Sequence, residues 1–192
     1  MDDSETEGAF SEAFDRCAPS VLRFAQRRLE DRDAAWDVVN ETFTTAWRHW
    51  HQRPADGELL PWLYAIARNA VRDELRSAGR RSRLAARLSA TSEARHAADS
   101  ADGVALGRSV GEAFARLSAA DREVLRLVVW EGLGDARSVG VALGLSAGTA
   151  RVRIHRARKR LRGLMAEGGL DQRPETADAT RASTVRSHVW EA

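Results

Sequence analysis

The 192-residue chain has 43% apolar and 30% charged residues but a formal net charge of only +2, the composition of a soluble globular protein of one large or two small domains. No apolar run approaches the roughly 20 residues that a membrane helix needs, and the acidic start M-D-D-S-E-T-E lacks the basic and apolar regions of a signal peptide, so the reading is cytoplasmic with no membrane insertion. A lone Cys17 excludes an internal disulfide, and the five histidines have no ligand spacing, so neither a metal site nor a cofactor is expected.

After a polar, frayed stretch at 1–8, Phe10, Phe14, Cys17, Val21, Phe24 and Leu29 approximate helical spacing and predict a first helix from Ala9 to about Leu29. Asp31-Arg32-Asp33 is a polar break from which Asp33 can cap a second helix running to about Trp50, with Ala35, Val38, Val39, Phe43, Ala46 and Trp47 as its buried side. Asp33, Asp37 and Glu41 suit the positive end of that helix's dipole. The segment H-Q-R-P-A-D-G-E at 51–58 reads as a loop. Leu59-Leu60-Pro61 leads into a third helix, Trp62 to about Ser77, with Leu63, Ile66, Ala67 and Ala70 inward and Arg68, Asn69, Arg72 and Arg76 outward.

Residues 78–106 change character. Arginines at 80, 81, 83 and 87 precede a polar, alanine-rich run without a large apolar residue between Leu88 and Val104, which is linker composition. A second helical unit begins near Leu106 with Val110, Phe114 and Leu117. Ser118-Ala119-Ala120-Asp121 resembles a capping box with aspartate in place of glutamate and opens a helix through Val129 to Glu131-Gly132. Gly134 to Leu145 reads as a short helix ending at Gly144, the usual residue for a left-handed turn. Gly140 inside it costs about 1 kcal/mol of helix propensity relative to alanine. Beyond Gly168 the tail is polar and read as disordered, ending in Val189-Trp190.

Ser146 to Arg162, S-A-G-T-A-R-V-R-I-H-R-A-R-K-R-L-R, is the most informative stretch. On a helix, Ala150, Ile154, Ala157, Leu161 and Leu164 make one apolar stripe, and Val152 and Lys159 lie opposite, flanked by Arg151, His155 and Arg156. Ser146 is a fitting N-cap. Seven cations in a row of seventeen residues, with no acid before Glu167, repel one another unless a polyanion neutralises them. Helix, glycine turn, basic amphipathic helix is a helix-turn-helix whose second member would lie in the major groove. The bland alternative is a solvated arginine-rich surface, since Lys159 is the only lysine in the chain. The arrangement favours DNA. The fold class is therefore all-α: two small helical domains, 1–77 and 107–168, joined by a flexible linker at 78–106, with a tail at 169–192.

Specific residues then carry a resemblance. D-V-V-N-E-T-F at 37–43 followed by Ala46-Trp47-Arg48, and P-W-L-Y-A-I-A-R-N-A-V-R-D-E-L-R at 61–76, closely resemble region two of bacterial sigma factors. E-V-L-R-L-V-V-W-E-G-L at 123–133, then L-G-L-S-A-G-T-A-R-V-R-I-H-R-A-R-K-R-L, is similar to region four. No region three separates them, which is the architecture of the extracytoplasmic-function group. Trp36 stands where the family usually has an acid, and Asp135 to Gly140 match its usual first turn-motif helix poorly.

The resemblance implies a non-enzymatic factor with three partners: bacterial core RNA polymerase, promoter DNA and an anti-sigma factor. Asp37, Asn40 and Glu41 would face the polymerase clamp helices. Loop 51–58 and the third helix would handle the minus-10 element. There, Trp50 and His51 are stacking candidates, Asn69 meets base edges, and Arg68, Arg72 and Arg76 track phosphates. Trp47 and Trp62, each on an apolar stripe, are read as core. For the minus-35 element, Arg151 can donate two bonds to guanine, His155 one, and Val152 can meet a thymine methyl. Ser146 belongs to the same site, with Thr149, Arg153, Arg156, Arg158 and Lys159 beside it; of these Thr149, Arg153, Arg156 and Arg158 are assigned to phosphates. The alternative is a helix-turn-helix regulator acting without polymerase, which leaves 37–43 and 61–76 unexplained.

Overall fold

The computed structural model describes residues 3–88 and 107–167. Among them all regular structure is helical, and the chain divides into two compact units, Met1–Ala98 and Asp99–Ala192. The predicted linker beyond Leu88 and the predicted tail lie outside the described residues.

In the first unit, α1 (Asp3–Gln26) starts well before the expected Ala9 and ends before Leu29. Arg28 Nη1 donates to the Phe24 carbonyl at 2.8 Å, supplying one of the partners a helix end lacks. α2 (Arg32–Arg48) is capped by Asp31 rather than Asp33: Asp31 Oδ1 accepts the Asp33 N–H at 2.8 Å, which puts Asp33 in the first turn beside the positive helix end. A short 3₁₀ turn, Trp50–Gln52, follows. α3 (Asp56–Leu88) begins six residues earlier than expected, carries Pro61 in its second turn, and runs on past Ser77. No residue between 78 and 88 stops it: Gly79 alone is a weak breaker. The core is the meeting of all three helices through Val21, Phe24, Val38, Val39, Leu63 and Ala67. Phe24 stacks on Tyr64 at 5.0 Å, and the buried Thr42 hydroxyl returns its bond to the Val38 carbonyl at 2.6 Å.

The second unit holds α4 (Arg108–Ala115), α5 (Ala119–Val129), α6 (Ala136–Leu143) and α7 (Ala147–Glu167). Three of its four starts are capped by side chains: Ser118 Oγ accepts the Asp121 N–H at 3.1 Å, Asp135 Oδ1 accepts those of Arg137 and Ser138, and Ser146 Oγ accepts that of Thr149 at 3.2 Å. Asp121 does not reach back to the Ser118 backbone as in a glutamate box; its carboxylate accepts the Ser118 hydroxyl at 2.8 Å. Phe114, Leu117, Val124, Leu125, Ala157 and Leu161 form the core, with Trp130 edge-on to Phe114 at 5.3 Å.

The turn between α6 and α7 explains two glycines. Gly144 has φ +67°, a left-handed conformation that side chains rarely adopt. Gly140, read from sequence as a weakness, is a close approach: a Cβ there would stand 2.7 Å from the Leu145 carbonyl oxygen. The Leu145 N–H bonds the Gly140 carbonyl at 2.8 Å, so the two segments touch through backbone.

Candidate nucleic-acid and polymerase interfaces

α7 is organised by its apolar stripe. Ala150, Ala157 and Leu161 are buried, and the two alanines let the helix lie close against α5 and α6. That packing turns the other side outward, where Arg151, Val152, Arg153, His155, Arg156 and Lys159 are all exposed. Val152 is an aliphatic side chain held in water at the centre of this face. Ser146 and Thr149 are exposed at the helix start and share a hydrogen bond at 2.9 Å. Arg158 differs from its expected place in the open: it is half-buried, its Nε is enclosed, and desolvation lowers its pKa below the usual arginine value. Arg160 is drawn into an ion pair with Asp121. The seven cations are thus not one surface.

On α2, Asp37, Asn40 and Glu41 are exposed, and the Thr45 hydroxyl donates to Glu41 Oε1 at 3.1 Å. Beside Asn40 an open groove of about 650 Å³ runs between α1 and α2, lined by Glu7, Phe10, Phe14, Phe43, Thr44 and Trp47. Its aromatics meet edge-on: Phe10 lies 4.9 Å from Trp47, and Phe14 lies 4.7 Å from Phe43. Trp47, read as core, is 42% exposed, and Phe14 is 36% exposed. Trp36 is a further exposed tryptophan on α2. Helical spacing correctly put Trp47 near the apolar side of α2, but it could not show that α1 leaves that side partly open.

Trp50 is the opposite correction. It is 4% exposed, edge-on to Phe10 at 5.0 Å, with the Arg53 guanidinium 4.9 Å from its ring, and so offers no face to an incoming base. Trp50 stands four residues after buried Ala46 and seven after buried Phe43, so it continues the buried side of α2 as the chain tightens into the 3₁₀ turn. His51 is exposed and shares a hydrogen bond with Gln52 at 2.9 Å. Loop 51–58 shrinks to three residues, 53–55, between the 3₁₀ turn and α3. Along α3, Asn69, Arg72 and Arg76 are exposed, with Arg76 paired to Asp73 at 2.7 Å. Arg68 is half-buried with its Nε enclosed, contrary to the expectation that it points outward. Among the described residues no group of three or more His, Cys, Asp or Glu side chains could hold a metal ion, and no helix is long and apolar enough to cross a membrane.

One helical unit with an acid-edged aromatic groove and a basic helix, and another that projects a basic recognition helix, define a helical DNA-binding transcription factor. Residues 13–81 match the Sigma-70 region 2 family, and residues 107–161 match the Sigma-70, region 4 family. The chain is 33% identical over 165 residues to RNA polymerase sigma factor CarQ of Myxococcus xanthus, covering 86% of this chain and 94% of that one. It is 31% identical over 129 residues to ECF RNA polymerase sigma factor SigL of Mycobacterium tuberculosis, covering 65% and 71%. Among solved structures it is similar to the sigma factor RpoE from Bartonella quintana, crystallised with the anti-sigma factor NepR. The TM-score is 0.55 at 26% identity, covering 82% of this chain and 97% of that one. CnrH, solved in complex with the cytosolic domain of CnrY, shares the fold at TM-score 0.54 and 24% identity, covering 84% and 90%. The chain belongs to the extracytoplasmic-function group of the sigma-70 family. It is a transcription initiation factor that binds core RNA polymerase and directs promoter recognition.

Proposed function

We propose a division of labour within that activity. The exposed face of α7, Arg151, Val152, His155 and their cationic neighbours Arg153, Arg156 and Lys159, reads the minus-35 element, with Ser146 and Thr149 at the helix start. The single observation that carries this is the outward basic face backed by a buried stripe, directly after a glycine turn. His51, Asn69, Arg72 and Arg76 serve the minus-10 element, and half-buried Arg68 supports them from the edge of α3. Asp37, Asn40 and Glu41 dock on the polymerase together with the aromatic groove beside them. Exposed aromatics adjoining a polar edge are the usual composition of a protein contact, apolar at the centre and wet at the rim.

The chain acts in the cytoplasm without catalysing a reaction of its own, and an anti-sigma protein restrains it. Support for the last point comes from RpoE and CnrH, whose structures hold NepR and CnrY. The domains run 1–77 and 107–168, with α3 extending the first. A regulator working without polymerase would leave the region 2 match without a role.

The test is reconstitution with core polymerase on promoter libraries, followed by start-site mapping. The expected result is initiation at sites the core enzyme ignores. Asp37→Lys or Glu41→Lys should reduce it by weakening core binding; undiminished affinity in both variants would remove α2 from the docking surface.

A further inference from the structure

Arg160 ties α7 to the start of α5. Its Nη1 reaches Asp121 Oδ2 at 2.6 Å, and the two side chains are unequally placed: Arg160 is 60% exposed, Asp121 only 10%. The same Oδ2 accepts the Ser118 hydroxyl, whose oxygen caps α5 by accepting the Asp121 N–H. The next residue, Arg122, donates to the carbonyls of Ala115 at 2.8 Å and Leu117 at 3.2 Å, fastening α5 to the end of α4. Consecutive side chains at the start of α5 therefore hold the helices on either side of it.

The start of α7 is tied to α6 through the Leu145 N–H bond to Gly140, and its last residue, Glu167, pairs with Arg116 at 3.0 Å; between them the helix is held mainly by its apolar stripe. Contact through Ala150, Ala157 and Leu161 is non-directional and leaves a helix some freedom to roll or slide. Hydrogen bonds to base edges weaken steeply with distance and angle, so such motion would cost base readout. An arginine bonded to a buried carboxylate supplies a directed contact along the middle of the helix. Losing the arginine leaves a carboxylate with little access to water, so the pair resists one-sided breakage. A guanidinium already paired with a carboxylate also adds little to the field that attracts phosphates.

We propose that Arg160 is a positioning residue: through Asp121 and Ser118 it sets the recognition helix against the capped start of α5, and it does not itself bind DNA. The proposal rests on the reading of α7 as the minus-35 helix. It is tested with holoenzyme assembled from the full chain, binding promoter fragments with an intact or scrambled minus-35 element across a salt series.

A cation bound to phosphate contributes about 0.9 to the slope of log K against log salt. Arg160→Ala is expected to lose about tenfold on the intact element, on the order of one base contact, with the slope unchanged and little loss on the scrambled one. Arg160→Gln keeps a donor for Asp121 without the charge, and is expected to bind close to the parent with the same slope. Should the alanine variant unfold, as circular dichroism would reveal, the glutamine variant still decides. Either variant lowering the slope by about one means a phosphate contact and overturns the proposal, as does parental binding by a folded Arg160→Ala. Lys159→Ala, from the exposed face, separates the two readings: it should lower the slope, and its failure to do so would count against the DNA-facing assignment while leaving the Arg160 result intact.

Discussion

Gly140→Ala is a sharp test of how the second unit is built, because two forces act on it in opposite directions. Alanine in a helix interior is favoured over glycine by about 1 kcal/mol. Against that, the added Cβ would lie 2.7 Å from the Leu145 carbonyl oxygen and 3.5 Å from the Ala147 nitrogen. Unstrained heavy-atom contacts begin at about 3.5 Å, and the obstacle is backbone, held by left-handed Gly144 and by the Leu145 N–H bond to Gly140. Forcing a methyl into such a site costs about 1–3 kcal/mol, and lengthening the bond costs about 1 more. The net expectation is a loss of about 1–3 kcal/mol, after the helix-propensity gain is subtracted. Hydrogen exchange of α6 and α7 amides in the full-length protein, read by mass spectrometry, would report it as faster exchange in both helices. The variant should also lose minus-35 discrimination, since α7 must shift to admit the methyl. Slower exchange than the parent would refute the reasoning and show that local propensity outweighs the close approach.

Trp47→Ala and Trp50→Ala should separate cleanly. Trp47→Ala is expected to cost about 1 kcal/mol of stability from its lost aromatic pairing but at least about 2 kcal/mol of polymerase binding, whereas Trp50→Ala should cost about 3–5 kcal/mol of stability; calorimetry and core-polymerase titration of both variants distinguish the roles. Arg151→Ala should lose about 1–3 kcal/mol and relax one minus-35 position, visible in binding to a single-base substitution series. Asp135 supplies a pH signature. The Ser138 hydroxyl bond, chiefly, then the Ser138 N–H bond, with the Arg137 N–H bond adding less, hold its carboxyl below the usual aspartate pKa against the opposing effect of burial. A depressed pKa contributes stability that is present above about pH 4 and lost as pH falls through the folded value. Asp135→Asn keeps an acceptor for the cap without titrating. Its melting temperature should therefore lack that acid-side decline when both proteins are followed from neutral to low pH.

Where local chemistry decides, the sequence was readable. Gly144 and Ser146 mark the turn and the helix start through their own conformational and hydrogen-bonding preferences, and the stripe Ala150, Ala157, Leu161 follows from period alone. Where two residues can do one job, it was not: Asp31 and Asp33 are equally good caps, and only the chain path out of α1 selects Asp31. Trp50 continues the face of Phe43 and Ala46 and was misplaced by being assigned to the loop edge, whereas Trp47 lies at the margin of that face, where spacing cannot tell how far a neighbouring helix reaches. Arg68, Arg158 and Arg160 counted as cations along a line, yet tertiary neighbours half-bury the first two and pair the third. Gly140 read as a defect because the backbone it accommodates lies across the turn.

The open groove between α1 and α2 has a consequence for the molecule before it meets its enzyme. Oily rings left facing water invite self-association, so the free protein should cluster as its concentration rises, and should be calmed by whatever covers Phe14 and Trp47. A cell making more of this chain than it has polymerase to receive it would accumulate a sticky surplus. Numbers in the cell, as much as promoter sequence, then become part of how such a molecule is kept in check.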